Sequence, residues 1–143
     1  MAKLTLLLVD DHAVVRSGFK VLLQTWDDVD VVAEANSGEE ALALYTLHRP
    51  EVVVMDIAMA GMGGIEACKR LLALDPKVRI LALSAHEDSS YAKRALQAGA
   101  LGYLSKRTAP EVLIDALRMV ARHQRFIDPI IAQRMANQQN SSD

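Results

Sequence analysis

The stretch Leu-Thr-Leu-Leu-Leu-Val-Asp-Asp, residues 4–11, is an apolar run that ends in two adjacent carboxylates. Its apolar residues are nearly continuous instead of alternating with polar ones, which is typical of a strand buried on both faces of a parallel sheet. Further runs of this kind recur along the chain. Five strands are therefore predicted, at Leu4–Val9, Val29–Ala33, Glu51–Met55, Val78–Leu83 and Ala100–Ser105.

A helical pattern follows each predicted strand. We expect the first helix to bury a stripe formed by Val15, Phe19, Leu22 and Leu23, with Arg16 on its polar side. Capping boxes predict the start of the second helix at Ser37 with Glu40, and the start of the fifth at Thr108 with Glu111. Alternation of strands and helices predicts an α/β fold, in which a five-stranded parallel sheet carries helices on both faces.

Length and composition favour one domain and exclude several functions. The chain has 143 residues, 51% of them hydrophobic, and a net charge of −2. A chain with this net charge lacks the positive potential that favours binding of nucleic acid. The run Leu4–Val9 is too short to cross a membrane or to form a signal peptide core, so we expect a cytoplasmic protein without a membrane partner. The single cysteine, Cys68, is expected to pack in the core.

Polar side chains follow four of the five predicted strands. They are Asp10 and Asp11 after the first, Asp56 after the third, Ser84 after the fourth and Lys106 after the fifth. The carboxyl ends of parallel strands lie at one edge of the sheet, so we expect these side chains to converge. Three carboxylates repel one another unless a cation neutralises them, and magnesium prefers such oxygen ligands. Together with a lysine and a hydroxyl, the cluster could hold a phosphoryl group on Asp56, the best placed nucleophile.

The motifs at these strand ends resemble those of response-regulator receiver domains. They are Leu-Leu-Val-Asp-Asp-His at 7–12, Val-Val-Met-Asp-Ile at 53–57, Leu-Ala-Leu-Ser-Ala at 81–85 and Gly-Tyr-Leu-Ser-Lys at 102–106, and the likeness covers Leu4 to about Phe126. The resemblance implies a flavodoxin-like sheet of order 2-1-3-4-5. It also implies that Asp56 accepts phosphate from a sensor histidine kinase and that the protein is not an enzyme acting on other substrates.

The same resemblance assigns the remaining roles. Asp10, Asp11, Asp56 and the backbone carbonyl of Ala58 would bind Mg²⁺, Ser84 and Lys106 would contact the phosphoryl oxygens, and Ser84 and Tyr103 would act as the switch pair. The sequence Asp-Asp-His-Ala-Val-Val-Arg-Ser-Gly at 10–18 further resembles LuxR-type regulators with a helix-turn-helix domain. Residues 1–126 would then be the receiver, and 127–143 a linker helix and polar tail towards a C-terminal domain that alone binds DNA.

Two departures from the family pattern concern loops beside the site. Ala60 stands where many relatives have proline, and Arg107 follows Lys106 where many have a cis proline. A cis bond before a residue other than proline costs about 3 kcal/mol, and the sequence leaves the isomer open. His86 is expected beside the pocket. By the same resemblance, the face made by the fourth helix, fifth strand and fifth helix should change on phosphorylation and alter self-association or release of the DNA-binding domain, and homodimerisation is a further hypothesis.

Three other functions compete with the receiver reading. A dehalogenase-type phosphatase needs a second aspartate two residues after the nucleophile, where Ala58 stands and offers no general acid. A flavodoxin-type electron carrier would have a hydroxyl-rich phosphate loop after the first strand, where Asp10, Asp11 and His12 stand instead. A docking module independent of phosphorylation would not need the complete set of site residues.

Overall fold

The architecture was analysed in a computed structural model that describes residues 3–59, 61–85 and 89–141, with the backbone alone for 138–141. Ala60 and His86, two residues singled out in the sequence, lie outside the described residues. The strands are β1 (Leu4–Val9), β2 (Val29–Ala35), β3 (Val52–Asp56), β4 (Ile80–Ser84), β5 (Gly102–Ser105) and β6 (Phe126–Ile127). The helices are α1 (Ala13–Leu23), α2 (Gly38–His48), α3 (Gly64–Leu74), α4 (Ser89–Gln97), α5 (Pro110–Ala121) and α6 (Pro129–Ser141).

All strand pairs are parallel, in the order β2-β1-β3-β4-β5-β6. The order 2-1-3-4-5 implied by the family resemblance is confirmed. A sixth strand, β6, was not predicted, because two residues carry no periodic pattern. It pairs with β5 and extends the sheet at that edge.

Two apolar layers cover the two faces of the sheet, which explains why the central strands are apolar at almost every position. Along β1, Leu6 and Leu8 belong to the layer under α1 and α5, whereas Leu7 and Val9 belong to the layer under α2, α3, α4 and α6. Successive side chains of a strand point to opposite faces, so both sets must be apolar. Cys68 is buried in the second layer, as expected, and burial raises the pKa of its thiol to about 12.

The orientation of α1 differs from the expected one. Leu23 is fully buried and Phe19 and Leu22 pack against the core, but Val15 is exposed. Arg16, expected on the polar side, is only 17% exposed. The helix tolerates this because the guanidinium finds partners: Nη1 donates to the Asp10 carbonyl at 2.5 Å and Nε to Glu34 Oε1 at 3.2 Å.

One predicted capping box is correct in its first half and the other is wrong. Ser37 Oγ accepts the backbone N–H of Glu40 at 3.1 Å, and the Glu40 carboxylate accepts the N–H of Asn36 in place of that of Ser37. At α5 the N-cap is Ala109, and Thr108 instead donates its hydroxyl to Asp128 Oδ2 at 3.2 Å. The Thr108 hydroxyl therefore bonds to Asp128, which is distant in sequence, and not to the backbone of the helix as the local pattern predicted.

The segment after α5 packs on the sheet instead of leaving it. Asp128, which is buried, donates its N–H to the Tyr103 carbonyl at 2.8 Å and accepts the N–H of Ile130 at 3.0 Å, which caps the start of α6. Ile131 is fully buried in the layer that contains Tyr103 and the alanines of α4. Among the described helices, none is long and apolar enough to cross a membrane.

Two adjacent isoleucines in α6 provide a matched test of this packing. Ile131→Ala should lower the free energy of unfolding by about 2–5 kcal/mol, because it removes a fully buried side chain, whereas Ile130, which is 59% exposed, should tolerate alanine within about 0.5 kcal/mol. Denaturant unfolding followed by circular dichroism measures both values. Equal effects of the two substitutions would show that α6 is not docked in solution.

Candidate functional site

The carboxyl ends of β1 and β3 place two aspartates side by side. Val9 is in register with Met55, so the next residues, Asp10 and Asp56, emerge next to each other. Both are buried, with 5% and 2% of their surface exposed. The convergence predicted from the strand ends is thus present for these two carboxylates.

The ammonium of Lys106, from the end of β5, lies between the two carboxylates. Its Nζ is 2.8 Å from Asp10 Oδ2 and 3.3 Å from Asp56 Oδ2. The lysine backbone is fixed as well, since its N–H donates to the Ser84 carbonyl at 2.8 Å. The following peptide bond, to Arg107, is trans. One cation therefore neutralises part of the charge of two buried acids.

The two aspartates differ in their protonation behaviour. Burial raises the pKa of Asp56, and the N–H of Ala58, which donates to Oδ1 at 3.1 Å, offsets only part of that effect. Burial also acts on Asp10, but the hydrogen bonds from Lys106 and from the His12 N–H outweigh it and lower the pKa of Asp10. For Lys106, burial opposes the charge, whereas the bond to Asp10 and the charge of Asp56 raise its pKa. Asp56 is thus the carboxylate whose charge is less well compensated.

The cluster has the donor atoms for a hard divalent cation. Ligand atoms of Asp10, Asp11, His12 and Asp56 all lie within 4.8 Å of one another. Asp56 Oδ2 is buried and has only the Lys106 ammonium, 3.3 Å away, as a charged neighbour that is not aligned for a hydrogen bond, so it can accept a cation. Carboxylate oxygens of this kind fit magnesium. Ala58 is exposed beside the cluster, where its carbonyl was expected to contribute.

His12 is a member of this cluster that sequence reasoning did not assign to it. Its Nδ1 lies 3.2 Å from Asp10 Oδ1 and 3.0 Å from Asp11 Oδ1, and its side chain is 64% exposed. The backbone N–H of His12 also donates to Asp10 Oδ1 at 2.8 Å. Its position directly after the acidic pair was the available signal, but an isolated histidine in a loop is most often a surface residue.

Ser84 and Tyr103, predicted as the switch pair, lie on neighbouring strands and are both fully buried. Ser84 follows Leu83, which is in register with Asp56, so the serine lies at the same edge of the sheet as the Asp56 carboxylate. Tyr103 is in register with Ala82 and packs with α4 and Ile131. The tyrosine ring therefore occupies an inward position in this structure.

Comparison with known proteins agrees with this geometry. The family model of the response regulator receiver domain matches residues 6–118. The chain is 42% identical over 130 residues to the response regulator GacA of Pseudomonas viridiflava and 40% identical over 133 residues to the response regulator UvrY of Escherichia coli K12. These matches cover 91% and 93% of the chain but 61% of each relative, so the chain spans about three fifths of their length.

A solved structure gives the same result for the whole fold. A two-component response regulator of the LuxR family from Aurantimonas sp. SI85-9A1 superimposes with a TM-score of 0.92 at 38% sequence identity. The superposition covers 96% of this chain and 99% of that one. The likeness therefore includes the segment after α5 as well as the sheet.

The raised pKa of Asp56 predicts that this residue destabilises the metal-free protein. Asp56→Asn should raise the free energy of unfolding in EDTA at pH 7 by about 1 kcal/mol, because the amide removes a poorly compensated buried charge. This gain in the free energy of unfolding should be complete above the raised pKa of Asp56. It should vanish below the ordinary pKa of 3.8, where Asp56 of the native sequence is protonated in both the folded and the unfolded state. Urea unfolding at several pH values measures it.

Asp115→Asn, at an exposed position of α5, is the control for a change of net charge. A loss of stability in Asp56→Asn at pH 7 would contradict the assignment of Asp56 as the carboxylate whose charge is less well compensated.

Proposed function

Because this chain belongs to the response regulator receiver family, we propose that it works as a phosphorylation switch in which Asp56 is the acceptor. The observation that carries the proposal is the position of the Lys106 ammonium, within 3.3 Å of both Asp10 and Asp56. A nucleophilic carboxylate with an adjacent cation and an acidic pair is the arrangement that transfer of a phosphoryl group to aspartate requires.

In the proposed reaction, an oxygen of Asp56 attacks phosphorus. A P–O bond to the carboxylate forms while the bond from phosphorus to the donor breaks, and the electron pair of that bond stays with the donor. The product is an acyl phosphate on Asp56. Lys106 can turn from the carboxylates to the new phosphoryl oxygens, and the N–H of Ala58, already directed at Asp56 Oδ1, offers a further donor.

Magnesium is the proposed cofactor. Asp10, Asp11 and Asp56 would hold it, with the Ala58 carbonyl, and it would neutralise the charge that builds up on the transferred group. Lys106 alone carries one positive charge against three carboxylates, so one cation more is needed before a phosphoryl group can approach.

The conformational response would start from Ser84 and Tyr103. The serine hydroxyl would bind a phosphoryl oxygen, and rearrangement around Tyr103 would alter the surface formed by α4, β5 and α5. A sensor histidine kinase is the proposed phosphodonor. Transcriptional output through a DNA-binding domain outside this chain is proposed from the likeness to the longer GacA and UvrY regulators. Self-association of the chain stays a prediction.

Enzymatic turnover of external phosphate esters is not proposed. The position two residues after Asp56, where a phosphatase would have its general acid, holds Ala58, whose only polar groups are those of the backbone. Release of phosphate from a phosphomonoester at enzyme-like rates would favour the phosphatase instead.

The first experiment is intact mass measurement after incubation with acetyl phosphate, with Mg²⁺ or with EDTA. We expect a single phosphoryl adduct that requires Mg²⁺ and disappears in Asp56→Ala, because the carboxylate is the acceptor. The adduct should persist in Asp115→Ala, which removes an exposed carboxylate of α5. A folded protein without any adduct would favour the docking module that does not depend on phosphorylation.

A further inference from the structure

The partly buried position of Arg16 needs an explanation that the phosphorylation chemistry does not supply. A guanidinium on a surface helix would ordinarily face solvent, and the sequence pattern of α1 predicted as much. Here it donates to the Asp10 carbonyl at 2.5 Å and to Glu34 Oε1 at 3.2 Å. Arg16 also lines a small apolar cavity of about 10 Å³ that touches Asp10 and Asp56.

The backbone of Asp10 is thereby held from two sides. Its N–H donates to the Ala35 carbonyl of β2 at 3.0 Å, and its carbonyl accepts from Arg16. Glu34, the residue of β2 that precedes Ala35, anchors the guanidinium in turn. Lys20 Nζ lies 3.1 Å from the other oxygen of Glu34 and, within the described part of the chain, has no hydrogen bond to Asp10. Arg16 thus connects the acidic pair to both α1 and β2.

We propose that Arg16 is a positioning residue that fixes the Asp10–Asp11 loop for magnesium. The proposal rests on the proposed function of the site. To bind the metal ion, the Asp10 carboxylate must leave the Lys106 ammonium, which is 2.8 Å away in this structure. Because the backbone of Asp10 is held by hydrogen bonds, its side chain can rotate while its Cα stays in place. Groups that orient metal ligands typically contribute 10-fold to 100-fold to metal affinity.

Electrostatics alone predicts the opposite change in Mg²⁺ affinity, so a single substitution of Arg16 can test the proposal. Removing a positive charge near the carboxylates should strengthen the binding of a divalent cation if charge were the only effect. Loss of positioning should weaken it. Arg16→Gln therefore distinguishes the positioning role of Arg16 from its charge effect. Lys20→Gln is the matched control, because it removes a cation bound to the same Glu34 but keeps the hydrogen bond from Arg16 to the Asp10 carbonyl.

The test is calorimetric titration of each protein with Mg²⁺, with acetyl phosphate labelling as a second readout. Arg16→Gln should raise the dissociation constant for Mg²⁺ about 10-fold. At saturating Mg²⁺ its phosphorylation rate should stay within about twofold of the native rate, since the reacting groups are intact. Lys20→Gln should bind Mg²⁺ like the native chain. Arg16→Lys, which keeps the positive charge but lacks the planar guanidinium that bonds the Asp10 carbonyl and Glu34 together, should shift the constant in the same direction and serves if Arg16→Gln does not fold.

Equal or tighter Mg²⁺ binding by Arg16→Gln would overturn the proposal. Native protein that binds Mg²⁺ but accepts no phosphoryl group would instead refute the proposed function and leave the positioning role measurable.

An independent observation concerns α6. Thr108, two residues after Lys106, donates its hydroxyl to Asp128 Oδ2, and Asp128 donates its N–H to the Tyr103 carbonyl. Ile131 then packs in the layer that holds the Tyr103 ring. The start of α6 is therefore attached to the β5–α5 loop and to the predicted switch tyrosine.

From these contacts we infer that α6 is a latch on the α4–β5 face, which is released when Lys106 and Tyr103 rearrange. Displacement of the loop after Lys106 would break the Thr108 bond to Asp128. This second proposal also rests on the phosphorylation switch, but its contacts can be tested without phosphate.

Amide hydrogen exchange measures the latch. Exchange in residues 129–137 should become at least severalfold faster under acetyl phosphate and Mg²⁺ in the native chain and not in Asp56→Ala, while α2 stays unchanged. Thr108→Val should accelerate exchange in α6 without any phosphodonor, whereas Thr46→Val, which removes an exposed hydroxyl bonded within α2, should not. If native protein with phosphorylated Asp56 kept α6 fully protected, or if Thr108→Val left its exchange unchanged, the latch would be refuted.

Discussion

The constraint on which the site depends is the burial of two carboxylates, Asp10 and Asp56, beside a single ammonium. Lys106 compensates them unequally: its hydrogen bond to Asp10 lowers that pKa, whereas burial dominates at Asp56 and raises it. Such an arrangement is poor for stability, because charge inside a protein is expensive unless it is fully paired. It is useful for a group that has to accept a further cation and a phosphoryl group.

The parallel sheet supplies the geometry for this cluster. Strands β1 and β3 are neighbours in register, so the residues that follow them meet at one edge, and β5 brings Lys106 from the other side of β4. Both faces of the sheet are covered by helices, which keeps the strands rigid and leaves the edge as the place where polar groups can collect. A rigid scaffold of this kind holds the reacting groups in place while the surrounding loops rearrange.

Two polar networks connect the edge to the rest of the molecule, and both begin directly beside the site. Arg16 links the backbone of Asp10 to Glu34 on β2, and Thr108 links the loop after Lys106 to Asp128 at the start of α6. The first network holds the Asp10–Asp11 loop, for which we propose magnesium binding, and the second reaches the start of α6. Together they offer a route by which a change at Asp56 could occur on a fixed Asp10 backbone and be transmitted to α6.

The sequence determined the main features by itself. Continuous apolar runs that end in Asp10, Asp56, Ser84 and Lys106, each followed by a helical pattern, were sufficient to predict the parallel fold and the residues at its edge, because burial of a strand is a local property of the pattern and parallel direction follows from the alternation with helices. The inward turn of Arg16, the membership of His12 in the acidic cluster, the short strand β6 and the bond from Thr108 to Asp128 were decided by tertiary structure alone. Each depends on a partner that is distant in sequence or on a close approach between neighbouring loops, and helical periodicity or a capping pattern contains no information about such partners.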